Sequence, residues 1–304
     1  MNTYLSEKGL TILLFHGVID EGAVYAVRNY TRKHISEKAF IHCLHEIKKD
    51  GVPLSMNDIV SLYLKKEKYP PRSFAITFDD GFANNYSIAA PILREFNIPA
   101  TFYVTTDFVE NNTMSWIDRI EYCFEWQQRV ELTLPWGETV LCETNGDKMR
   151  ALESIRFHVK RDPTIKLDEF VEEIFRQCEM MPIYHSDGPL DKKMTWEQVR
   201  DLAREELFIV GGHSHDHVNL AFLEHEECAQ QISKSLQYIT EKTGLPMKHY
   251  SYPEGLENCY SEKVISLLKD HGVVCSPTAI EGVNTQQEDL FHLRRTMVDT
   301  VCVA

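Results

Sequence analysis

Residues 74–81 read Phe74-Ala75-Ile76-Thr77-Phe78-Asp79-Asp80-Gly81: an apolar run that ends in two adjacent carboxylates and a glycine. The run reads as a β-strand that buries Phe74, Ile76 and Phe78. Neighbouring carboxylates repel each other, and they are costly to desolvate unless a cation or a proton offsets them. At the C-terminal end of a strand they point into the mouth of a sheet or barrel, where active sites collect. Asp-Gly is also a common turn former, so this stretch alone leaves turn and site both open.

A second stretch favours the site. Leu207-Phe-Ile-Val-Gly-Gly-His213-Ser-His215-Asp216-His217 is another apolar run that passes through glycines into three histidines within five residues. His213 and His217 are four apart, so a helical turn would put both imidazoles on one face. That spacing suits two nitrogen ligands on one divalent metal. One acid of the Asp79/Asp80 pair would supply an oxygen ligand, and the other would be free to act as a base.

The chain alternates between strand-like and helix-like segments. Thr11–Phe15 is an apolar run before His16. Ser36 caps a helix carrying Phe40, Ile41, Leu44 and Ile47. A helix over 88–96 ends at Asn97 and Pro99, and 100–105 is β-branched and aromatic. Thr195 caps a helix before the histidine strand, a long helix covers 224–242, and Ser261 caps another over 262–270. Strands are predicted at 249–253, 273–276 and 293–298. About seven strands alternating with helices predict an α/β parallel barrel or a doubly wound sheet. The regularity breaks from 111 to 193, an insertion. It holds an aromatic helix at 116–126, a hairpin around Pro135-Trp136-Gly137 and a charged helical stretch over 148–180. Nothing in it reads as catalytic; it is read either as a lid or substrate-contacting subdomain or as a structural elaboration.

With 304 residues the chain can bury a large core, and 32 basic against 46 acidic side chains give a net charge of −14. Such a surface repels phosphate backbones and anionic lipid, which argues against nucleic acid as the main partner. The eight cysteines (43, 123, 142, 178, 228, 259, 275 and 302) form no CxxC pair and read as buried reduced thiols. The N-terminus lacks the basic start and apolar core of a signal peptide, and no apolar stretch is long enough to span a bilayer. The expected compartment is the cytoplasm.

Thr77-Phe-Asp-Asp-Gly81, His213-Ser-x-x-His217 and Tyr252-Pro-Glu-Gly255, in this order, resemble the signature of NodB-type polysaccharide deacetylases (carbohydrate esterase family 4). The flanking Asn97-Ile-Pro-Ala-Thr-Phe-Tyr and Thr195-Trp-Glu-Gln extend the likeness to most of the chain outside the insertion. The resemblance implies one domain over 1–304, a distorted (β/α)7 barrel interrupted by the mostly helical insertion at 111–193. It implies hydrolysis of an N-acetyl or other N-acyl group on an amino sugar with one divalent ion: zinc, with Co2+, Ni2+ or Mn2+ as alternatives. Asp80, His213 and His217 would hold the ion, and Asp79 would be the general base. Leu13-Leu-Phe-His16-Gly-Val resembles a permuted branch of the family, in which His16 would be the acid, with His292 as the alternative. The Glu254 N–H would face the developing oxyanion. Ser251 stands where the family's base-orienting arginine is expected, and Arg295, or its neighbour Arg294, would replace that arginine. His215 and Asp216 fall at variable positions of the motif.

Among rival chemistries, the HxHxDH pattern of metallo-β-lactamase-type hydrolases is one residue longer than His213–His217. A two-histidine, one-carboxylate iron oxygenase leaves the paired acids unexplained. A non-catalytic carbohydrate-binding relative would have no need of all four of Asp79, Asp80, His213 and His217. Within the resemblance, the missing export signal points to an intracellular nucleotide-linked or lipid-linked amino sugar, and sugar deformylation is the alternative reaction.

Overall fold

The computed structural model describes residues 5–20, 22 and 24–298. The strands are β1 (Thr11–Phe15), β2 (Gly17–Ile19), β3 (His34–Ser36), β4 (Val52–Pro53), β5 (Ser73–Phe78), β6 (Ala100–Val104), β7 (Val130–Thr133), β8 (Thr139–Cys142), β9 (Phe208–Gly212) and β10 (Thr296–Met297). Parallel pairing runs β10-β1-β5-β6-β9, with β4 beside the start of β5. Single parallel bridges continue the wall from Gly212 to Tyr250 and from His249 to Cys275. The Thr278 N–H then donates to Leu293 O, and the Arg295 N–H to Ile280 O, which returns the chain to β10. Five strands and two single-bridge segments thus make the seven-membered barrel that the resemblance implies.

The predicted strands at 249–253, 273–276 and 293–298 are shorter than expected. The first two reduce to single bridges and the last to the two residues of β10. Beyond Tyr250 the backbone leaves the wall to build the site, so few of its amides remain for pairing.

Register explains the packing. Phe78 pairs with Phe15 on one side and Phe102 on the other. Their rings stack at 5.3 and 5.1 Å, and Phe40 closes edge-on against Phe15. Phe40 belongs to the helix Glu37–Lys48, whose N-cap Ser36 accepts from the Ala39 N–H. Three in-register phenylalanines thus form one apolar ladder under one helix, and each buried ring contributes about 1.5–3 kcal/mol.

The same register fixes where the strands end. Phe15 pairs with Phe78, and Val104 with Gly212, so His16, Asp79 and His213 all emerge at the C-terminal ends of neighbouring parallel strands.

The insertion has its own apolar cluster, including Trp116, Ile120, Phe124, Leu152, Val171 and Phe175, and Val27 from the 24–33 loop joins it. A bridge between Thr113 and His185 ties its two ends together. The single helical stretch expected over 148–180 is two helices, Asn145–Val159 and Leu167–Gln177. Pro163 separates them because it lacks the N–H that a continuous helix needs. Seven cysteines lie buried, and Cys302 falls outside the described residues. Among the described residues no helix is long and apolar enough to cross a membrane.

Candidate active site

Asp79 and Asp80 follow β5 and are buried. Asp80 adopts φ 76°, in the left-handed region, and Gly81 follows at φ 83°. Ser214, His217 and Glu254 also have positive φ. Four non-glycine residues in a costly conformation at one site mark a backbone shaped for function. Two of them, Ser214 and His217, correct the helical-turn expectation. The segment from His213 to His217 is irregular, and left-handed residues turn the two imidazoles toward each other, with ring centroids 5.0 Å apart.

Asp80 Oδ1 lies 3.2 Å from His217 Nε2 and 3.6 Å from His213 Nε2. One ligand atom from each of the three residues lies within 4.8 Å of the others. Asp80 Oδ1 is buried without a hydrogen-bond partner. His213 Nδ1 lies 3.0 Å from the Ser251 carbonyl oxygen, an acceptor that places the proton on Nδ1 and leaves Nε2 with a lone pair toward Asp80. A buried, orphaned carboxylate oxygen faced by two imidazole nitrogens fits a divalent cation and is costly without one.

Asp79 faces a different partner. Arg295, fully buried, donates from Nη1 to Asp79 Oδ1 and from Nη2 to Oδ2, both at 2.8 Å. Its Nε donates to Thr278 O at 2.6 Å. Burial pushes the Asp79 carboxyl up, but Arg295 and then His213 outweigh it and hold the pKa below the ordinary value. Burial also opposes ionisation of Asp80, whose pKa Lys33 and His217 hold well below that range. Ser251, in the place of the expected arginine, donates its hydroxyl to Asp79 Oδ1 at 3.3 Å and lies 2.7 Å from His213 Nδ1.

His16 and Glu254 line the same cavity of about 360 Å³. Burial pushes the His16 imidazole down to about 4, against the pull of Asp80, so it is neutral at pH 7. The Glu254 N–H makes no hydrogen bond to another described residue. The two alternatives lie elsewhere. The half-exposed His292 faces Asp289 and Tyr260 outside the cavity, and Arg294 donates to the Glu281 carbonyl. His215 is buried against the Thr106 hydroxyl, 2.7 Å away, and the exposed Asp216 lies beside it.

The insertion contributes more than its sequence suggests. Trp116, Arg156 and Lys160 line the cavity, and Lys160 pairs with Glu254. Lys33, from the loop before β3, reaches Asp80 Oδ2 at 3.2 Å and Asp118 Oδ2 at 3.1 Å. No local pattern marks these residues, because their role depends on two distant segments meeting.

The Glu254–Lys160 pair gives a pH signature. Burial raises the Glu254 pKa, but Lys160 outweighs it and brings it down to about 2. Its stabilisation is therefore complete above about pH 4.5 and lost as pH falls through about 2. Lys160→Met is expected to lower stability by about 1–3 kcal/mol near neutrality. The gap from wild type should close toward pH 2 in urea unfolding. A gap independent of pH would remove the ion pair as its cause.

The family model for polysaccharide deacetylases matches residues 66–276, and the chain belongs to that family. It is 33% identical over 95 residues to the poly-beta-1,6-N-acetyl-D-glucosamine N-deacetylase of Staphylococcus aureus (strain MSSA476). That match spans 31% of this chain and 31% of the relative, so less than a third of the curated relative's length is covered. Among solved structures, IcaB from Ammonifex degensii superposes with a TM-score of 0.62 at 18% identity, covering 97% of this chain and 94% of that one. The Streptococcus pyogenes deacetylase PplD, in complex with acetate, gives 0.60 at 13% identity, covering 97% and 95%. At these identities the likeness is one of fold.

Proposed function

We propose that this protein hydrolyses the N-acyl group, acetyl in the first instance, from an amino sugar of a glycan or glycan precursor, using one divalent ion. The observation that carries this reading is the convergence of the buried Asp80 Oδ1, which accepts no well-aligned hydrogen bond, with the Nε2 atoms of His213 and His217, 3.6 and 3.2 Å away. Three protein ligands of the Asp-His-His type suit zinc with a position left open. When bound, the ion would polarise the acyl carbonyl and lower the pKa of water.

The chain's own residues account for the proton movements. Asp79, held ionised by the Arg295 fork, takes the proton of the attacking water. The water oxygen adds to the acyl carbon, the C–N bond breaks, and a carboxylic acid and an amine leave. His16 enters neutral, takes up within the cavity the proton that Asp79 drew from the water, and passes it to the departing nitrogen, which leaves Asp79 ionised and His16 neutral again. The free Glu254 N–H is the donor for the oxyanion.

The S. aureus relative is named for a poly-N-acetylglucosamine substrate, so oligomers of β-1,6-linked N-acetylglucosamine are the first substrate to test. Nucleotide-linked N-acetylglucosamine, the substrate class of the intracellular reading, is the second. Free amine should appear from one of the two with added Zn2+ or Co2+ and disappear with a chelator. No amine from either, in protein that binds the ion, would overturn the proposal. His16→Ala should slow amine release by about 10²-fold or more without loss of fold. Wild-type turnover in that variant would remove His16 from the role of acid.

A further inference from the structure

The outer oxygen of Asp80 is the least explained atom of the site. A carboxylate can grip an ion with one oxygen or with two, and geometry decides which. Asp80 Oδ1 faces the imidazoles, whereas Oδ2 is 3.2 Å from the Lys33 ammonium. An ammonium at that distance keeps Oδ2 away from the ion and fixes the carboxylate plane.

A lysine side chain is long and flexible, so this position must itself be held. The Asp118 oxygens lie 3.3 and 3.1 Å from Lys33 Nζ, and the Phe82 ring sits 4.8 Å below it. Asp118 lies on the insertion helix Trp116–Trp126. The same helix secures the loop that carries Lys33. Glu125 accepts the N–H groups of Ala26, Val27 and Arg28 at 2.9, 2.7 and 3.0 Å, and Glu121 accepts that of Asn29 at 3.0 Å. Positions 118, 121 and 125 follow the three-to-four spacing of one helix face. Asn29 then locks the end of the loop by exchanging two 2.8 Å hydrogen bonds with the His34 backbone. One acidic face of the insertion therefore delivers a single ammonium to a single carboxylate oxygen.

We propose that Lys33 is a positioning residue of the metal centre, holding Asp80 as a one-oxygen ligand, and that Asp118 of the insertion holds Lys33 there. Two cations share Asp80, and the Asp118 charge offsets the repulsion that Lys33 would otherwise exert on the ion. The insertion thereby becomes part of the metal site without supplying a ligand. This inference rests on the metal-dependent reading above.

The test uses the full chain, stripped of metal and titrated with Co2+ against a chromophoric chelator, with the visible spectrum recorded at saturation. Wild type should bind one Co2+ and His213→Ala none, which checks the metal reading by itself. Lys33→Met removes a cation beside the ion and frees Asp80 Oδ2, so Co2+ should bind at least as tightly as in wild type while its coordination changes. The intensity of the cobalt bands should fall, as the freed oxygen raises the coordination number. Asp118→Ala should lower the bands in the same way, because Lys33 is no longer held on Oδ2. The double variant should give the spectrum of Lys33→Met with no further change, because the two residues act in series. A wild-type cobalt spectrum in folded Lys33→Met would overturn the proposal, as would additive spectral changes in the double variant. If Lys33→Met does not fold, Asp118→Ala decides alone: an unchanged cobalt spectrum in that variant refutes the inference while leaving the metal site intact.

Discussion

Asp79→Asn is expected to cut turnover by about 10²–10⁴-fold while the protein still takes up one divalent ion per chain. His213→Ala and Asp80→Ala should lose both. The two acids are neighbours in sequence, yet the structure gives them different partners. Asp80 Oδ1 faces two imidazoles and accepts no well-aligned hydrogen bond. Both oxygens of Asp79 are taken by Arg295, so its nearest approach to a ligand nitrogen is 3.9 Å, to His213 Nε2. Asparagine still accepts one hydrogen bond from Arg295 but leaves the buried guanidinium charge unpaired, so the variant should lose stability, and its folding is checked by urea unfolding before turnover is compared. It cannot take a proton from water, so the chemistry should be lost in the folded protein. Metal analysis beside the amine assay separates the outcomes. An active Asp79→Asn protein would remove Asp79 from the role of base, and one that has lost its ion would show that the acids have been assigned the wrong way round.

The division between what was legible in the sequence and what was not follows the range of the interactions. Ser36, Thr195 and Ser261 each cap the helix expected of them, because a cap is a contact over three residues. The strand ending in Asp79-Asp80 announced itself through local periodicity, and β5 ends at Phe78. Periodicity failed at Tyr250 and Cys275, where the wall is one bridge thick and the apolar character reflects burial rather than pairing. It failed again at Pro163, where helical composition on both sides hid a break.

Spacing pointed to His213, His217 and one acid of the Asp79/Asp80 pair as candidate ligands, the resemblance chose Asp80, and the structure brings these three side chains together. The means of doing so was not legible. A positive φ at Ser214 cannot be read from residue type, and at His217 the enrichment of histidine in the left-handed region is too small to single out one position among thirteen histidines. The resemblance pointed to Arg295 as the substitute for a missing arginine, and its fork on Asp79 shows the geometry such a role needs. Lys33, Asp118 and Lys160 stayed invisible because each acts only through a partner far away in the chain: Lys33 and Asp118 are 85 residues apart. The residues by which the insertion reaches the site stayed hidden for the same reason. Its acids and bases resemble an ordinary solvated helix face until the 24–33 loop is laid across it.

Arg295→Met should be the most destabilising single change at the site. The guanidinium is fully buried and spends its donors on Asp79, Thr278 O and, at 3.3 Å, the Thr77 hydroxyl. Removing it strands a buried carboxylate whose remaining side-chain donor is the Ser251 hydroxyl. Breaking a buried pair from one side costs about 3–5 kcal/mol, measurable by urea unfolding of the metal-free protein. The kinetic consequence has a definite sign. Burial pushes the Asp79 carboxyl up, and Arg295 is the largest influence holding it down. Without Arg295 the pKa rises, so the base becomes protonated at a higher pH. The acidic limb of kcat/KM should therefore move toward neutrality, with activity partly recovered on the alkaline side. Arg295→Lys keeps the charge but not the two-pronged geometry, and its limb should fall between those of the other two proteins. A folded Arg295→Met enzyme with a wild-type acidic limb would mean that something other than this guanidinium keeps Asp79 ionised.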